Sequence, residues 1–187
     1  MARLSDLEDS QFRDGFVDVA KQNDTKTYVD AIVFFSQRLF PEVDGEAIRF
    51  NLLMARLARR LENDLEGHGL RQYGFSTGSF RLSFLIFIAG SIEGAQLVAI
   101  AEMSRANASG ILKTLQRKGF IHKVSSPRDA RTSLLTLTEL GEKRFMDAWR
   151  TVNKRERAWA DTLSRDERET FIRLLEKVVQ ADPGSPA

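Results

Sequence analysis

The stretch that decides the fold is residues 97–145, LVAIAEMSRANASGILKTLQRKGFIHKVSSPRDARTSLLTLTELGEKRF. It begins in a short apolar helix, turns near Glu102, and enters a second helix that Ser104 caps and Lys118-Gly119 closes. Two such helices joined by a tight turn have the proportions of a helix-turn-helix. The β-branched runs IHKV and SLLTLT then predict a hairpin with its tip at residues 125–132. A helix-turn-helix followed by a hairpin is a winged helix.

The second helix of this pair has one face suited to DNA. Ala108, Ile111, Leu112 and Leu115 are expected to point inward, which leaves a face of small, polar or basic residues: Arg105, Ala106, Asn107, Ser109, Gly110, Lys113 and Thr114. Small residues let a helix lie deep in a major groove, and Arg and Asn can distinguish bases. Ser104 can also meet a phosphate from its capping position. A glycine inside a helix costs about 1 kcal/mol relative to alanine, and close approach to DNA would offset that cost at Gly110. The alternative is an ordinary solvated helix with an unexplained glycine.

Basic charge is concentrated in this same region, although the net charge of the chain is only +2. Residues 95–135 hold seven basic and two acidic side chains, and none between Met103 and Arg128 is acidic. An acid-free run in a chain otherwise rich in Asp and Glu is typical of a surface that binds a polyanion. Arg117, Lys118 and Lys123 are expected to contact the DNA backbone or to serve solubility.

The hairpin tip carries two arginines around one aspartate. Arg128 and Arg131 are candidates for insertion into a narrow, electronegative minor groove. Asp129 would be repelled by phosphate, so its expected role is internal: it accepts hydrogen bonds from the turn and pairs with Arg131, which orients the guanidinium. The alternative is a solvated turn with an incidental ion pair, which contributes about 1 kcal/mol or less.

Residues 97–145 resemble the DNA-binding core of the MarR family of bacterial transcription regulators. The resemblance is carried by KGFI, by the D-x-R of Asp129 and Arg131, and by LTLTELG, and it extends in helix order over roughly residues 50–180. The chain differs from the family pattern by its additional N-terminal residues 1–43. It also has Glu102 where the turn often has glycine.

The resemblance implies a homodimer whose first and last helices form the interface. Its two recognition helices would lie about 34–36 Å apart, so the operator would be pseudo-palindromic. It also implies the same roles for the D-x-R pair, and a small-molecule pocket. Family effectors are often aromatic acids, and Arg56, Tyr73 and Arg81 lie in segments that usually line the pocket, where arginine suits a carboxylate. These three could equally be surface or interhelix residues.

The expected fold is mostly α with a small β-hairpin wing: a winged helix-turn-helix flanked by N- and C-terminal dimerisation helices. Further helices are expected over residues 5–20, from Thr27 to Pro41, from Asp44 to a break at Gly67-His68-Gly69, from Ser76 or Thr77 to Ala89, from Thr138, and from Ser164. The domain division is an N-terminal helical extension (1–43), a dimerisation helix (44–75), the DNA-binding lobe (76–137) and C-terminal dimerisation helices (138–187).

Other chemistry finds little support in the sequence. There is no cysteine, and the two histidines, His68 and His122, belong to no catalytic or metal-ligand spacing; His68 is expected to cap a helix end. We therefore expect no enzymatic activity, no metal and no cofactor. Without a signal sequence or a membrane-length apolar run, the protein is expected to be cytoplasmic. The favoured function is a DNA-binding repressor released by an effector. The alternative is a winged-helix module for protein contacts without sequence-specific DNA binding.

Overall fold

The computed structural model describes residues 25–125 and 133–181. The predicted helix at residues 5–20 lies outside them. The seven α-helices of these ranges are α1 (Thr25–Leu39), α2 (Gly45–Asp64), α3 (Thr77–Ala89), α4 (Gly94–Ile100), α5 (Arg105–Arg117), α6 (Glu139–Ala160) and α7 (Arg165–Val179). The strands are β1 (Ile92–Glu93), β2 (Ile121–Ser125) and β3 (Ser133–Leu137). The boundary between two compact units falls between Leu61 and Glu62. Among the described residues, no helix has the length and apolarity to cross a bilayer.

The first unit contains α1 and most of α2. Val29 and Val33, one turn apart on α1, are its buried side chains. Asp30 on α1 forms an ion pair with Arg49 on α2. The carboxylate of Asp44 accepts hydrogen bonds from the backbone N–H groups of Glu46 and Ala47, at 2.8 and 3.1 Å. The predicted cap at Asp44 is therefore confirmed.

The predicted break at Gly67-His68-Gly69 is wrong. The chain continues from α2 through a π-helical turn at Leu65–Leu70 and a 3₁₀ turn at Arg71–Tyr73. Gly69 is buried beside Val152 of α6, where a Cβ would lie 3.4 Å from the valine side chain, an ordinary van der Waals contact. The helical winding ends at Gly74, whose φ of +87° favours glycine. The ring Nδ1 of His68 lies 3.3 Å from the carbonyl oxygen of Asp64, one turn earlier. Because the winding continues past His68, the expectation that it caps a helix end is also wrong.

Local signals at the ends of α3, α6 and α7 are confirmed. Ser76 and Ser79 form a reciprocal capping box at the start of α3, and Gly90, with φ +67°, follows its end. The hydroxyl of Thr138 accepts a hydrogen bond from the N–H of Gly141 at 2.9 Å. A second capping box opens α7, where the Ser164 hydroxyl and N–H donate to Glu167 and hold the pKa of that carboxyl below its usual range.

The sheet has three antiparallel strands in the order β1-β3-β2, and the predicted hairpin forms β2 and β3. Their register pairs Ile121 with Leu137 and Ser125 with Ser133. β1 pairs Ile92 with Leu135 and was missed in the sequence. Two residues are too few to show the alternation that identifies a strand.

The core of the second unit lies between α3, α5, α6 and the sheet. Leu82, Ile86, Leu97, Leu115 and Phe145 are almost fully buried in it. At one edge an aromatic stack joins α3 to α6; its members are Phe80, Phe84, Phe145 and Trp149. The rings of Phe84 and Trp149 are nearly parallel, at 11°, with centroids 4.9 Å apart. This stacking fixes α6 against the helix that precedes the helix-turn-helix.

Large apolar side chains are exposed on several helices, including α2 and α7. On α2, Phe50 and Leu53 are 47% and 45% exposed. On α7, Phe171, Leu174 and Val178 follow one another at helical spacing with exposures between 38% and 49%. α7 has no buried residue at all, although it is strongly amphipathic.

Candidate nucleic-acid interface

The helix α5 adopts the orientation expected of it. The Ser104 hydroxyl accepts a hydrogen bond from the N–H of Asn107 at 3.2 Å, which fixes the start of the helix. Ala108 and Leu115 are fully buried, and Ile111 and Leu112 pack against the same core. The inward face is therefore the predicted one.

The opposite face of α5 is open to solvent. Its exposed members are Arg105, Ala106, Asn107, Ser109, Gly110 and Lys113. Thr114 is half-buried, and its hydroxyl donates to the carbonyl of Gly110 at 3.1 Å, so this donor is already used within the helix. A Cβ placed on Gly110 would meet no atom within 4 Å. Nothing in the described part of the protein accounts for a glycine at this position.

The turn between α4 and α5 takes an unusual backbone conformation at Glu102, whose φ is +51°. The N–H of Glu102 donates to the carbonyl of Ala99 at 3.3 Å, so the turn is hydrogen-bonded as well as tight. An L-residue in the left-handed region costs about 1–2 kcal/mol. Glycine, expected at this position from the family pattern, would adopt this conformation without the cost. Glutamate adopts it here.

Two clefts flank α5 on opposite sides. The upstream cleft, of about 550 Å³, lies between α5 and the segment entering α3; it is lined by Arg71, Gly74, Phe75, Ser76, Ser79, Ala106, Asn107, Gly110, Ile111, Thr114 and Lys118. The wing-side cleft, of about 300 Å³, lies between α5, α4 and the sheet; it is lined by Gly94, Val98, Arg105, Ser109, Leu112, Lys113, Gln116, Lys123, Ser133 and Leu135. Every charged residue in both linings is basic.

Arg71 in the upstream cleft was missed in the sequence. It lies more than thirty residues before α5, so no local pattern connects it with the recognition helix. Its side chain is 73% exposed and approaches the carboxylate of Glu66 at 3.5 Å. Lys118, at the other end of the same cleft, donates a hydrogen bond to the carbonyl of Gly74.

The two strands of the wing remain paired up to Ser125 and Ser133, which lie on either side of the hairpin tip. Arg128, Asp129 and Arg131, the residues predicted to reach DNA from the tip, lie outside the described residues. The second histidine, His122, faces Thr136 across the strands, with Nε2 3.2 Å from the hydroxyl oxygen.

The three predicted effector-binding residues have separate neighbours. Arg56 on α2 holds its guanidinium carbon 4.4 Å from the ring centre of Tyr28. Tyr73 shares a hydrogen bond of 2.9 Å with the hydroxyl of Thr151 on α6. Arg81 lines a third cleft of about 430 Å³, together with Glu62, Asn63, Glu66, Gly67, Arg71, Thr77, Gly78 and Met103. Effector binding by these residues stays a prediction.

A polar cluster centred on Asp64 was also missed in the sequence. Its carboxylate accepts hydrogen bonds from Arg155 Nε and Nη2 at 3.0 and 2.7 Å, and from Trp159 Nε1 at 2.9 Å. The hydrogen bond from Arg155 is the main cause that holds the pKa of Asp64 below its usual range, with desolvation opposing it. The cluster ties the end of α2 to α6.

No group of three or more potential metal ligands occurs among the described residues. The expected absence of metal, cofactor and catalysis stays a prediction.

The helix-turn-helix, the three-stranded sheet and the basic exposed helix define a winged-helix protein. Residues 76–133 match the MarR family model, which confirms the resemblance over this part of the chain. That family consists of transcriptional regulators.

Three known proteins illustrate the similarity. The HTH-type regulator YwaE of Bacillus subtilis is 28% identical over 149 residues, which span 80% of this chain and 87% of YwaE. A mutant MarR from E. coli, in complex with operator DNA, superposes with a TM-score of 0.64 at 20% identity, covering 76% of this chain and 96% of that one. The transcriptional repressor CouR, bound to a 23-mer DNA duplex, gives 0.63 at 21% identity, covering 70% and 92%. At these identities the solved structures establish the fold.

Proposed function

We propose that the protein is a sequence-specific DNA-binding regulator that acts as a homodimeric repressor and is released by a small-molecule effector. The observation that carries this proposal is the exposed face of α5. It is free of acidic side chains, basic clefts flank it, and Gly110 leaves room for close approach from outside. These are the properties that a helix in a major groove requires.

Within α5, base readout falls to Arg105 and Asn107, whose exposed side chains carry bidentate hydrogen-bonding groups. Ser104, Ser109 and Lys113 contact phosphates or the groove edge. Thr114 contributes its methyl group rather than its donor, because its hydroxyl is bonded to the carbonyl of Gly110. On the wing, Arg128 and Arg131 reach the minor groove, and Asp129 orients Arg131.

The homodimer is supported by the exposed apolar side chains of α2 and α7, which match the predicted dimerisation segments 44–75 and 138–187 around the DNA-binding lobe at 76–137. Sedimentation equilibrium tests it. The wild type should sediment as a dimer, and Leu174→Glu, at a 49% exposed position, should yield folded monomers. A wild-type monomer would refute the proposed assembly.

The effector is proposed to be an aromatic carboxylic acid bound through Arg56, Tyr73 and Arg81. Benzoate and benzyl alcohol form a matched pair of probes, because they share the ring and differ in the carboxylate. Benzoate should raise the melting temperature and release DNA, and Arg81→Gln should abolish both effects. Equal effects of the two probes would contradict carboxylate recognition.

The deciding experiment is a gel shift with the region upstream of the protein's own gene, over a salt series and against random duplex. A regulator prefers the specific duplex, and its affinity falls steeply with salt because bound phosphates release counterions. Asn107→Ala should blur the sequence preference, whereas Arg131→Ala should weaken binding with a shallower salt slope. Equal binding to both duplexes, or a flat salt dependence, would favour the protein-interaction module instead.

A further inference from the structure

We infer that the two clefts beside α5 receive the two phosphate backbones that border the major groove, and that Arg71 is the phosphate-binding residue of the upstream cleft. This inference rests on the proposed DNA binding. It adds a DNA contact from the segment before α3, which lies outside the helix-turn-helix and the wing.

The first step is the placement of the clefts around the helix. Asn107, Ile111 and Thr114 line the upstream cleft, and Arg105, Ser109 and Gln116 line the wing-side cleft. With a turn of 3.6 residues, these sets fall on opposite sides of α5. Ala106 and Gly110 lie between the two sets and also line the upstream cleft.

The second step compares dimensions. An α-helix with its side chains is about 10–12 Å across, and the major groove is about 12 Å wide. A helix that fills the groove with Ala106 and Gly110 toward the bases therefore has a sugar-phosphate strand beside each flank. Each of those strands meets one of the two clefts.

The third step is charge. The upstream cleft carries Arg71 and Lys118, and the wing-side cleft carries Lys113 and Lys123 beside Arg105, the proposed base-reading residue, with no acidic residue in either lining. The amine of Lys118 donates a hydrogen bond to the carbonyl of Gly74. Arg71 is therefore the cation of the upstream cleft that is more available to bind a phosphate. Arg71 forms an ion pair with Glu66 at 3.5 Å, and its side chain is still 73% exposed.

Salt dependence of operator binding tests the assignment. Each phosphate contact contributes about 0.9 to the slope of log K against log salt concentration. Arg71→Gln should therefore reduce the slope by roughly two in a homodimer, with the sequence preference unchanged, and Arg71→Lys should restore it. The matched control is Arg150→Gln on α6, because that side chain is 66% exposed, is paired with Asp147 at 3.1 Å, and lines neither cleft.

Operator duplexes with single methylphosphonate linkages provide a second measurement. At least one neutral linkage should weaken binding by the wild type and should have no effect on binding by Arg71→Gln.

The inference would be overturned if Arg71→Gln kept the wild-type salt slope and the wild-type sensitivity to each neutral linkage. Specific binding to the operator would persist in that case, so this outcome is distinct from failure of the proposed function. Loss of sequence preference in Arg71→Gln would also overturn it, because it would indicate base readout. A third overturning result is saturable binding of inorganic phosphate that Arg71→Gln abolishes, because the cleft would then be a site for a free anion.

Discussion

Replacing Gly110 by alanine should move stability and DNA binding in opposite directions. Gly110 lies in the sixth position of the thirteen-residue helix α5, and an added Cβ would meet nothing within 4 Å. Alanine is favoured over glycine in a helix interior by about 1 kcal/mol, and no steric cost opposes this gain. For a chain of this size, the melting temperature should rise by about 2–4 °C.

The same methyl group should weaken operator binding, because it lies on the outermost line of the helix, where the proposed groove contact is closest. We expect at least a tenfold loss of affinity, which corresponds to about 1.4 kcal/mol. Calorimetry measures the first effect, and fluorescence anisotropy with a labelled operator measures the second. The expected rise in melting temperature and the expected loss of operator affinity are thus tested by separate measurements.

Gly67→Ala is the matched control, since a Cβ there also meets nothing within 4 Å and the residue lies in the π-helical turn, away from α5 in sequence. Its operator affinity should stay at the wild-type value. Unchanged affinity in Gly110→Ala would refute close approach of DNA at this helix. A lower melting temperature in Gly110→Ala would refute the conclusion that the position is open.

Substitutions at three further positions test the packing, the turn and the polar cluster. Gly141→Ala places a Cβ 1.9 Å from the carbonyl oxygen of Phe120, so the unfolding free energy should fall by about 3 kcal/mol in urea titrations; a loss below 0.5 kcal/mol would contradict this contact. Glu102→Gly relieves the left-handed strain at some entropic cost and should raise the unfolding free energy by about 0.5 kcal/mol, whereas Glu102→Val should lower it by about 1 kcal/mol; the reverse order would exclude strain at the turn. Asp64→Asn should lower stability at pH 7 by about 1 kcal/mol after allowance for solvent screening. Because the folded-state pKa of Asp64 is depressed, its contribution is present above the unfolded-state pKa of about 4 and is lost as the pH falls through the folded-state value. The difference from wild type should therefore narrow in urea titrations as the pH is lowered stepwise below about 4; a gap that stays constant would assign the loss to packing.

Most helix ends were predictable because their signals are local. Ser104, Thr138 and Ser164 each cap the N–H of a residue three positions later, and such spacing is visible in the sequence itself. The inward face of α5 was predictable for the same reason, since a helical period places Ala108 and Leu115 together.

The features that were missed depend on partners distant in sequence. The strand β1 exists because Ile92 pairs with Leu135. The helical winding continues through Gly67-His68-Gly69 as a π-helical turn, in which Gly69 is buried beside Val152 of α6, whereas the local sequence indicates a stop. Arg71 lies near α5 because the fold places the segment before α3 beside that helix.

The aromatic stack between α3 and α6 gives the protein an internal optical probe. The chain has only two tryptophans, both on α6: Trp149 stacks on Phe84 of α3, and Trp159 donates to the carboxylate of Asp64. Their emission therefore originates in two different environments. With Trp159 replaced by phenylalanine, the remaining fluorescence follows the separation of α3 from α6, and with Trp149 replaced it follows the junction at the end of α2. The two ends of α6 can thus be followed separately during unfolding or effector binding without an attached dye.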